Sequence, residues 1–264
     1  MSGSVAAGIS LLRRIGAQRK ALGEIVRLDY LDAVQVHAVT LQLKTPWAGH
    51  EAGQFAFVTF DEAEGAHPFT MSSAWTGDGR LLFLIKALGD YTRTLGHALR
   101  VGDTAIVEGP YGRFHFEGSA QRQIWIGAGI GVTPFVARMQ ALAAQPDGRS
   151  VDFFHVTAEV DERALALLRA DAQAAGVRLH LVVSRRGDTD SLFTGERLRA
   201  QVPDWLQADV WFCGPANFGD ALQQDLAEKQ LALEAAKEAV IARGWVVDTI
   251  AGEDMTVPLG VTRV

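Results

Sequence analysis

Five short clusters in this sequence carry residue types suited to nucleotide chemistry. His67-Pro68-Phe69-Thr70-Met71-Ser72-Ser73 sets an aromatic ring among hydroxyls. A ring face and a hydroxyl suit a flat heteroaromatic ligand; the same residues also suit a barrel strand that buries alternate side chains. Lys86-Ala87-Leu88-Gly89-Asp90-Tyr91-Thr92 puts a cation and a glycine ahead of a helix start. Helix N-termini present free N–H groups and partial positive charge, which suit a diphosphate. An ordinary capped surface helix would carry the same residues. Gly127-Ala128-Gly129-Ile130-Gly131-Val132-Thr133-Pro134 follows an apolar strand and opens a helix. Its alternate glycines let backbone approach a pyrophosphate, and Pro134 suits a first helical turn. A plain strand-to-helix turn rarely needs three glycines, so the binding reading leads, although the spacing is not the generic G-x-G-x-x-G. Ser184-Arg185-Arg186-Gly187 follows a strand and reads either as a phosphate clamp or as a solvated loop. Cys213-Gly214-Pro215 turns the chain sharply at another strand end. The lone thiol reads as a small buried hydrophobe, because the sequence gives it no cationic partner.

The elements that must hold these clusters change character along the chain. In the first half, Glu24–Tyr30, Ala33–Leu43, Gly53–Phe60, Pro68–Trp75, Leu81–Ala87 and Thr104–Glu108 read as strands separated by turn residues. The apolar phase flips at Ala38-Val39, which predicts a bulge or a bend there. Six short strands predict a small antiparallel barrel. Asp90 is expected to cap a helix over Tyr91–Leu99. In the second half, strands over Gln123–Ile126, Val151–Val156, Val177–Val183 and Asp209–Phe212 alternate with helices over Thr133–Ala144, Glu162–Ala175, Gly195–Gln201 and Ala216–Glu228. That alternation predicts a parallel sheet whose ligands lie at the carboxyl ends of its strands. The division falls in Gly118-Ser119-Ala120. Residues 1–22 then form a basic N-terminal segment, 23–118 the barrel, 119–231 the α/β domain and 232–264 an additional tail.

Composition narrows the function classes. Lys plus Arg number 25 against 31 Asp plus Glu, so the 264-residue chain carries a net charge of −6 and is not expected to bind nucleic acid. A single cysteine excludes an internal disulfide and a cysteine-held iron–sulfur cluster. The apolar run Val5–Leu12, followed by Arg13, Arg14, Arg19 and Lys20, is too short to span a bilayer. The chain is therefore expected to be cytoplasmic, with association at a membrane face through this segment or a partner.

Taken in order, HPFTMSS, KALGDYT, EGPYGRF, GAGIGVTP, SRR and CGP resemble the ferredoxin–NADP reductase superfamily over about Gly23 to Glu228. The His-Pro-Phe-Thr and Gly-Asp-Tyr-Thr variants are similar to the dehydrogenase domain of ferric reductases and NADPH oxidases. The resemblance implies FAD on the barrel, held by His67, Pro68, Phe69, Thr70, Ser73, Ile85, Lys86, Gly89, Tyr91 and Thr92. Phe69 would pack along the flavin, Thr70 would bond near its N5, and Lys86, Gly89 and Thr92 would serve its pyrophosphate. The turn Gly109-Pro110-Tyr111-Gly112 would join the two domains. NADPH would lie on Gly127, Gly129, Ile130, Gly131, Thr133, Pro134, Cys213, Gly214 and Pro215, with Ser184, Arg185 and Arg186 at its 2′-phosphate. Thr70 and Cys213 would sit nearest the hydride path. The implied activity is hydride transfer from NADPH to flavin, then release of single electrons to a haem membrane domain, an iron–sulfur protein or ferric iron. Two other readings stand beside it: a free-standing ferredoxin or flavin reductase component, and a non-catalytic nucleotide-binding module closed by its tail. The family's chains end soon after the last α/β helix, often with an aromatic over the flavin. Here Leu233–Gly244 reads as further helix, and Trp245 is the nearby candidate aromatic. No metal or haem site is expected within the chain.

Overall fold

The computed structural model describes residues 19–185 and 187–242, with side chains up to residue 235. The expectations for Val5–Leu12, Arg13, Arg14, Arg186 and Trp245 fall outside the described residues. The chain forms two compact units. One takes the residues up to Phe116 together with Thr133–Gln145 and Val160–Ala175; the other takes Glu117–Val132, Pro146–Glu159 and the residues from Gly176 onward.

The first unit holds an antiparallel sheet of six strands: β1 (Lys20–Leu31), β2 (Val36–Leu43), β3 (Phe55–Thr59), β4 (His67–Thr70), β5 (Arg80–Lys86) and β6 (Thr104–Tyr111), in the order β4-β3-β6-β1-β2-β5. A bridge between Met71 and Phe83 joins the two outer edges, closing the sheet as the expected barrel. Ile25, Val39, Leu41, Val58, Leu81, Phe83 and Val107 fill its interior with essentially no exposure. Helix α1 (Asp90–Ala98) follows β5 and drops Leu95 into that core.

Two expectations are corrected here. The bulge is not at Ala38-Val39, where β2 pairs with β5 without interruption from Val36 to Gln42. It lies in β1, between Ile25 and Arg27. The apparent phase flip came from treating His37 as a solvent-facing residue. It is 4% exposed and stacks on Tyr30 at 4.6 Å, so His37, Val39, Leu41 and Leu43 form one buried row. The cap of α1 is Gly89, not Asp90. The Thr92 hydroxyl accepts from the Leu88 and Gly89 N–H groups at 3.0 Å each, while the Asp90 carboxylate stands in solvent 3.6 Å from Arg93.

The second unit holds a parallel sheet of β7 (Arg122–Ala128), β8 (Ser150–Thr157), β9 (Arg178–Val183) and β10 (Ala208–Cys213), in the order β10-β7-β8-β9. Successive strands step one way from β7 and then return to its other side, so the order reverses between β7 and β10. A ligand crevice belongs at the carboxyl ends of those two strands. Helices α2 (Thr133–Ala144), α3 (Glu162–Ala174), α4 (Gly195–Gln201) and α5 (Ala216–Ala242) follow the strands. Phe154, Val210 and Phe212 share a core with Leu198 of α4 and Leu222 and Leu226 of α5. The expected stop near Glu228 is absent. Lys229 to Ala242 contains no Gly or Pro and is rich in Ala, Leu, Glu and Lys, so helix propensity carries α5 on without a break. Among the described residues, no helix is long and apolar enough to cross a membrane.

Candidate functional site

On the barrel, β4 presents the first cluster. Its pairing with β3 sets Phe69 opposite Ala56 and Thr70 opposite Phe55. The His67 ring stacks on Tyr91 at 4.0 Å with 14° between planes, joining β4 to the first turn of α1. Phe69 stands 6.3 Å from Phe60 and 6.5 Å from Phe83, half-buried. Both His67 Nε2 and Tyr91 Oη are buried and without a hydrogen-bond partner among the described residues. Burial, then the Glu64 and Asp61 carboxylates, push the Tyr91 phenol pKa upward, so it remains a neutral donor. Buried polar atoms normally find partners. Two unmet ones on stacked rings beside a helix N-terminus suit the ribityl and phosphate oxygens of a flavin nucleotide. The space next to Gly89 is open, and Lys86 makes no ion pair among the described residues.

The other barrel candidates divide. The Ser73 hydroxyl accepts from Leu82 N–H at 3.1 Å, and that of Ser72 accepts from Leu84 N–H at 3.3 Å. These serines continue the pairing with β5 by side chain where β4 stops. Ile85 is 2% exposed, so only its backbone is available to a ligand.

On the parallel sheet, the register sets His155, Gly127 and Cys213 side by side on β8, β7 and β10. A 3-10 turn over Gly129–Val132 leads from β7 into α2. Gly129 has φ +56°, and nothing lies within 4 Å of where a Cβ would project. A Cβ on Gly131 would lie 2.1 Å from the Cys213 carbonyl oxygen, so the turn packs backbone on backbone against the end of β10. Burial pushes the Cys213 thiol up to about 11, which favours the neutral side chain. The Pro215 carbonyl accepts from Phe218 and Gly219 N–H as α5 begins.

The loop after β9 is built around Ser191. Its hydroxyl accepts from Arg185 N–H at 2.8 Å, and its carbonyl accepts from the Ser184 hydroxyl at 3.0 Å. The Arg185 guanidinium is exposed and makes no ion pair among the described residues.

Sequence reasoning missed His155 and Ser191. His155 Nδ1 lies 3.2 Å from the Gly127 carbonyl, and burial lowers its pKa despite that bond. Pairing β7 with β8 in register on paper would have found it. Ser191 had no signal beyond its place in a polar loop.

A barrel with two unmet polar atoms at a helix start, and a parallel sheet with a glycine turn at its switch point, suit a flavin and a pyridine nucleotide. Residues 25–115 match the model of an FAD-binding domain family. A flavohemoprotein of Deinococcus radiodurans is 26% identical over 205 residues, covering 74% of this chain and 48% of that protein. An anthranilate 1,2-dioxygenase electron transfer component of Acinetobacter baylyi is 25% identical over 187 residues, covering 68% and 54%. This chain thus spans about half the length of these relatives. A ferredoxin–NADP+ reductase from Plasmodium falciparum superposes with a TM-score of 0.66 at 15% identity, covering 80% of this chain and 91% of the other, a likeness of fold. Residues 25–115 thus carry an FAD-binding domain, and the fold is that of ferredoxin–NADP+ reductases, which fits FAD and a pyridine nucleotide as cofactors.

Proposed function

We propose that this chain is an NADPH-dependent FAD oxidoreductase that hands electrons singly to a haem, ferric iron or iron–sulfur acceptor. The observation that carries it is the presence in one chain of two features: the unmet polar atoms His67 Nε2 and Tyr91 Oη on the barrel, and the Gly127–Gly131 turn against Cys213 on the sheet. When bound, FAD supplies an N5 that accepts hydride and the capacity to release its two electrons one at a time.

The chain's own residues position and polarise. Phe69 offers its half-buried face to the flavin ring, and the Thr70 hydroxyl, which makes no hydrogen bond within the described residues, is offered to N5. Lys86, Gly89 and Thr92 hold the FAD pyrophosphate at the start of α1. Gly127, Gly129, Gly131 and Thr133 hold the dinucleotide pyrophosphate, and the neutral Cys213 packs at the nicotinamide without acting as a nucleophile. Ser184, Arg185 and Arg186 receive the 2′-phosphate. Each charge-assisted contact is worth roughly 1.5–3 kcal/mol, so two arginines favour NADPH over NADH by on the order of 10²–10⁴. The exposure of Arg185 puts the expected preference at the lower end.

The ferric-reductase-like motifs and the basic N-terminal segment favour a haem partner at the cytoplasmic face of a membrane. The relatives support the neighbouring reading of a reductase component for a haem or iron–sulfur partner, since they include a flavohemoprotein and a dioxygenase electron transfer component. The test of nucleotide choice is the double variant Arg185→Ala, Arg186→Ala. It is expected to raise the NADPH KM on the order of 10²-fold and leave the NADH KM within about threefold; equal effects on both would reject the 2′-phosphate assignment.

A further inference from the structure

We infer that His155 is a positioning residue for the pyridine nucleotide, acting through the carbonyl of Gly127. The inference rests on the reading of Gly127–Gly131 as the nucleotide turn. His155 lies near the carboxyl end of β8, opposite Gly127, and its Nδ1 lies 3.2 Å from the Gly127 oxygen. A carbonyl can only accept, so Nδ1 carries the proton in this contact. The lowering of the His155 pKa by burial agrees with a neutral ring that keeps one fixed tautomer.

The geometry gives this bond leverage. Gly127 is the last residue of β7 paired to both neighbours at once, His155 on one side and Cys213 on the other. Two residues later the chain turns at Gly129, and at Gly131 it is already pressed against the Cys213 carbonyl. The turn is therefore fixed on its β10 side by backbone contact, where no side chain can adjust it. On its β8 side the ladder runs one residue further, to Ala128 opposite Val156, and the His155 imidazole adds a side-chain bond to the Gly127 carbonyl. Losing that bond loosens the carbonyl at the end of the ladder and, with it, the aim of the N–H groups that follow into the turn. Such groups serve a pyrophosphate only when aimed in advance. Hydride transfer itself does not touch His155, so the effect belongs in binding.

The test uses the full chain loaded with FAD and titrates NADP+ by calorimetry, with thermal melting and steady-state kinetics beside it. His155→Leu removes the donor and keeps bulk. It is expected to weaken NADP+ binding and raise the NADPH KM by about three- to tenfold, the range of one neutral hydrogen bond, with kcat within about twofold. His155→Asn places an N–H near the position of Nδ1 and is expected to restore affinity to within about twofold. Unchanged affinity in His155→Leu would overturn the inference. So would a loss that His155→Asn fails to restore, since that outcome assigns the residue to packing. If the wild-type chain binds FAD but not NADP+, the reading of the turn falls, and this inference with it.

Discussion

The rings of His67 and Tyr91 stack at 4.0 Å while His67 Nε2 and Tyr91 Oη, both buried, lack any hydrogen-bond partner within the described residues. A contact of this kind is costly in the chain alone and useful once a polar ligand arrives. Tyr91→Phe removes a hydroxyl that bonds nothing in the FAD-free chain. Melting of the FAD-free variant should be unchanged or rise, by up to about 1 kcal/mol in stability. FAD affinity, read from flavin fluorescence, should fall about three- to tenfold. A less stable apoprotein with full FAD affinity would make the hydroxyl a structural group.

Gly129 and Gly131 should respond differently to alanine. At Gly131 the new Cβ would sit 2.1 Å from a backbone oxygen, and backbone yields little. Gly131→Ala should cost about 1–3 kcal/mol in urea unfolding. At Gly129 the space is open but φ is +56°. Gly129→Ala should cost about 1 kcal/mol in strain yet weaken NADP+ on the order of tenfold, because its Cβ enters the ligand's space. Equal losses of stability and binding at both positions would argue against a ligand-facing Gly129.

Asp152 on β8 is 2% exposed and ties three strands together. It accepts from Arg178 at 2.8 and 2.7 Å and from Arg122 at 2.7 Å, and it lies 2.9 Å from His180 Nε2. Burial alone would raise its pKa; the bonds from His180 and Arg178 outweigh that and hold it well below the ordinary 3.8. A depressed carboxyl stabilises above the unfolded-state value and loses that contribution as pH falls below it. Asp152→Asn should therefore cost about 3 kcal/mol at pH 7, and the gap from wild type should narrow steadily below pH 3.8. A gap independent of pH would contradict the assignment.

Cys213 supplies a simple check on its own environment. With its thiol pushed up to about 11, roughly one molecule in 10³ is thiolate at pH 8. Iodoacetamide should modify it far more slowly than free cysteine at that pH. Rapid alkylation of the folded chain would mean an activated thiol and reopen a chemical role for it.

Much of the fold was legible because period and turn chemistry agreed. The helices over Thr133–Ala144 and Gly195–Gln201 stand where the pattern puts them. The glycine turn was visible because the close backbone approach at Gly131 and the positive φ at Gly129 both favour glycine. What stayed hidden depended on partners far away in sequence. His37 reads as polar in a strand until Tyr30 and Gly96 close over it. Asp90 looks like a cap until the Thr92 hydroxyl takes the N–H groups on offer. His155 has no local signature, because its importance comes from a register between two strands.

The most direct test of the account mixes the FAD-loaded chain with NADPH in the absence of oxygen and follows the visible flavin absorbance. The account predicts rapid bleaching with NADPH and much slower bleaching with NADH at equal concentration. Retention of bound FAD with no bleaching by either nucleotide would contradict it, and would make the chain a binding module rather than a reductase.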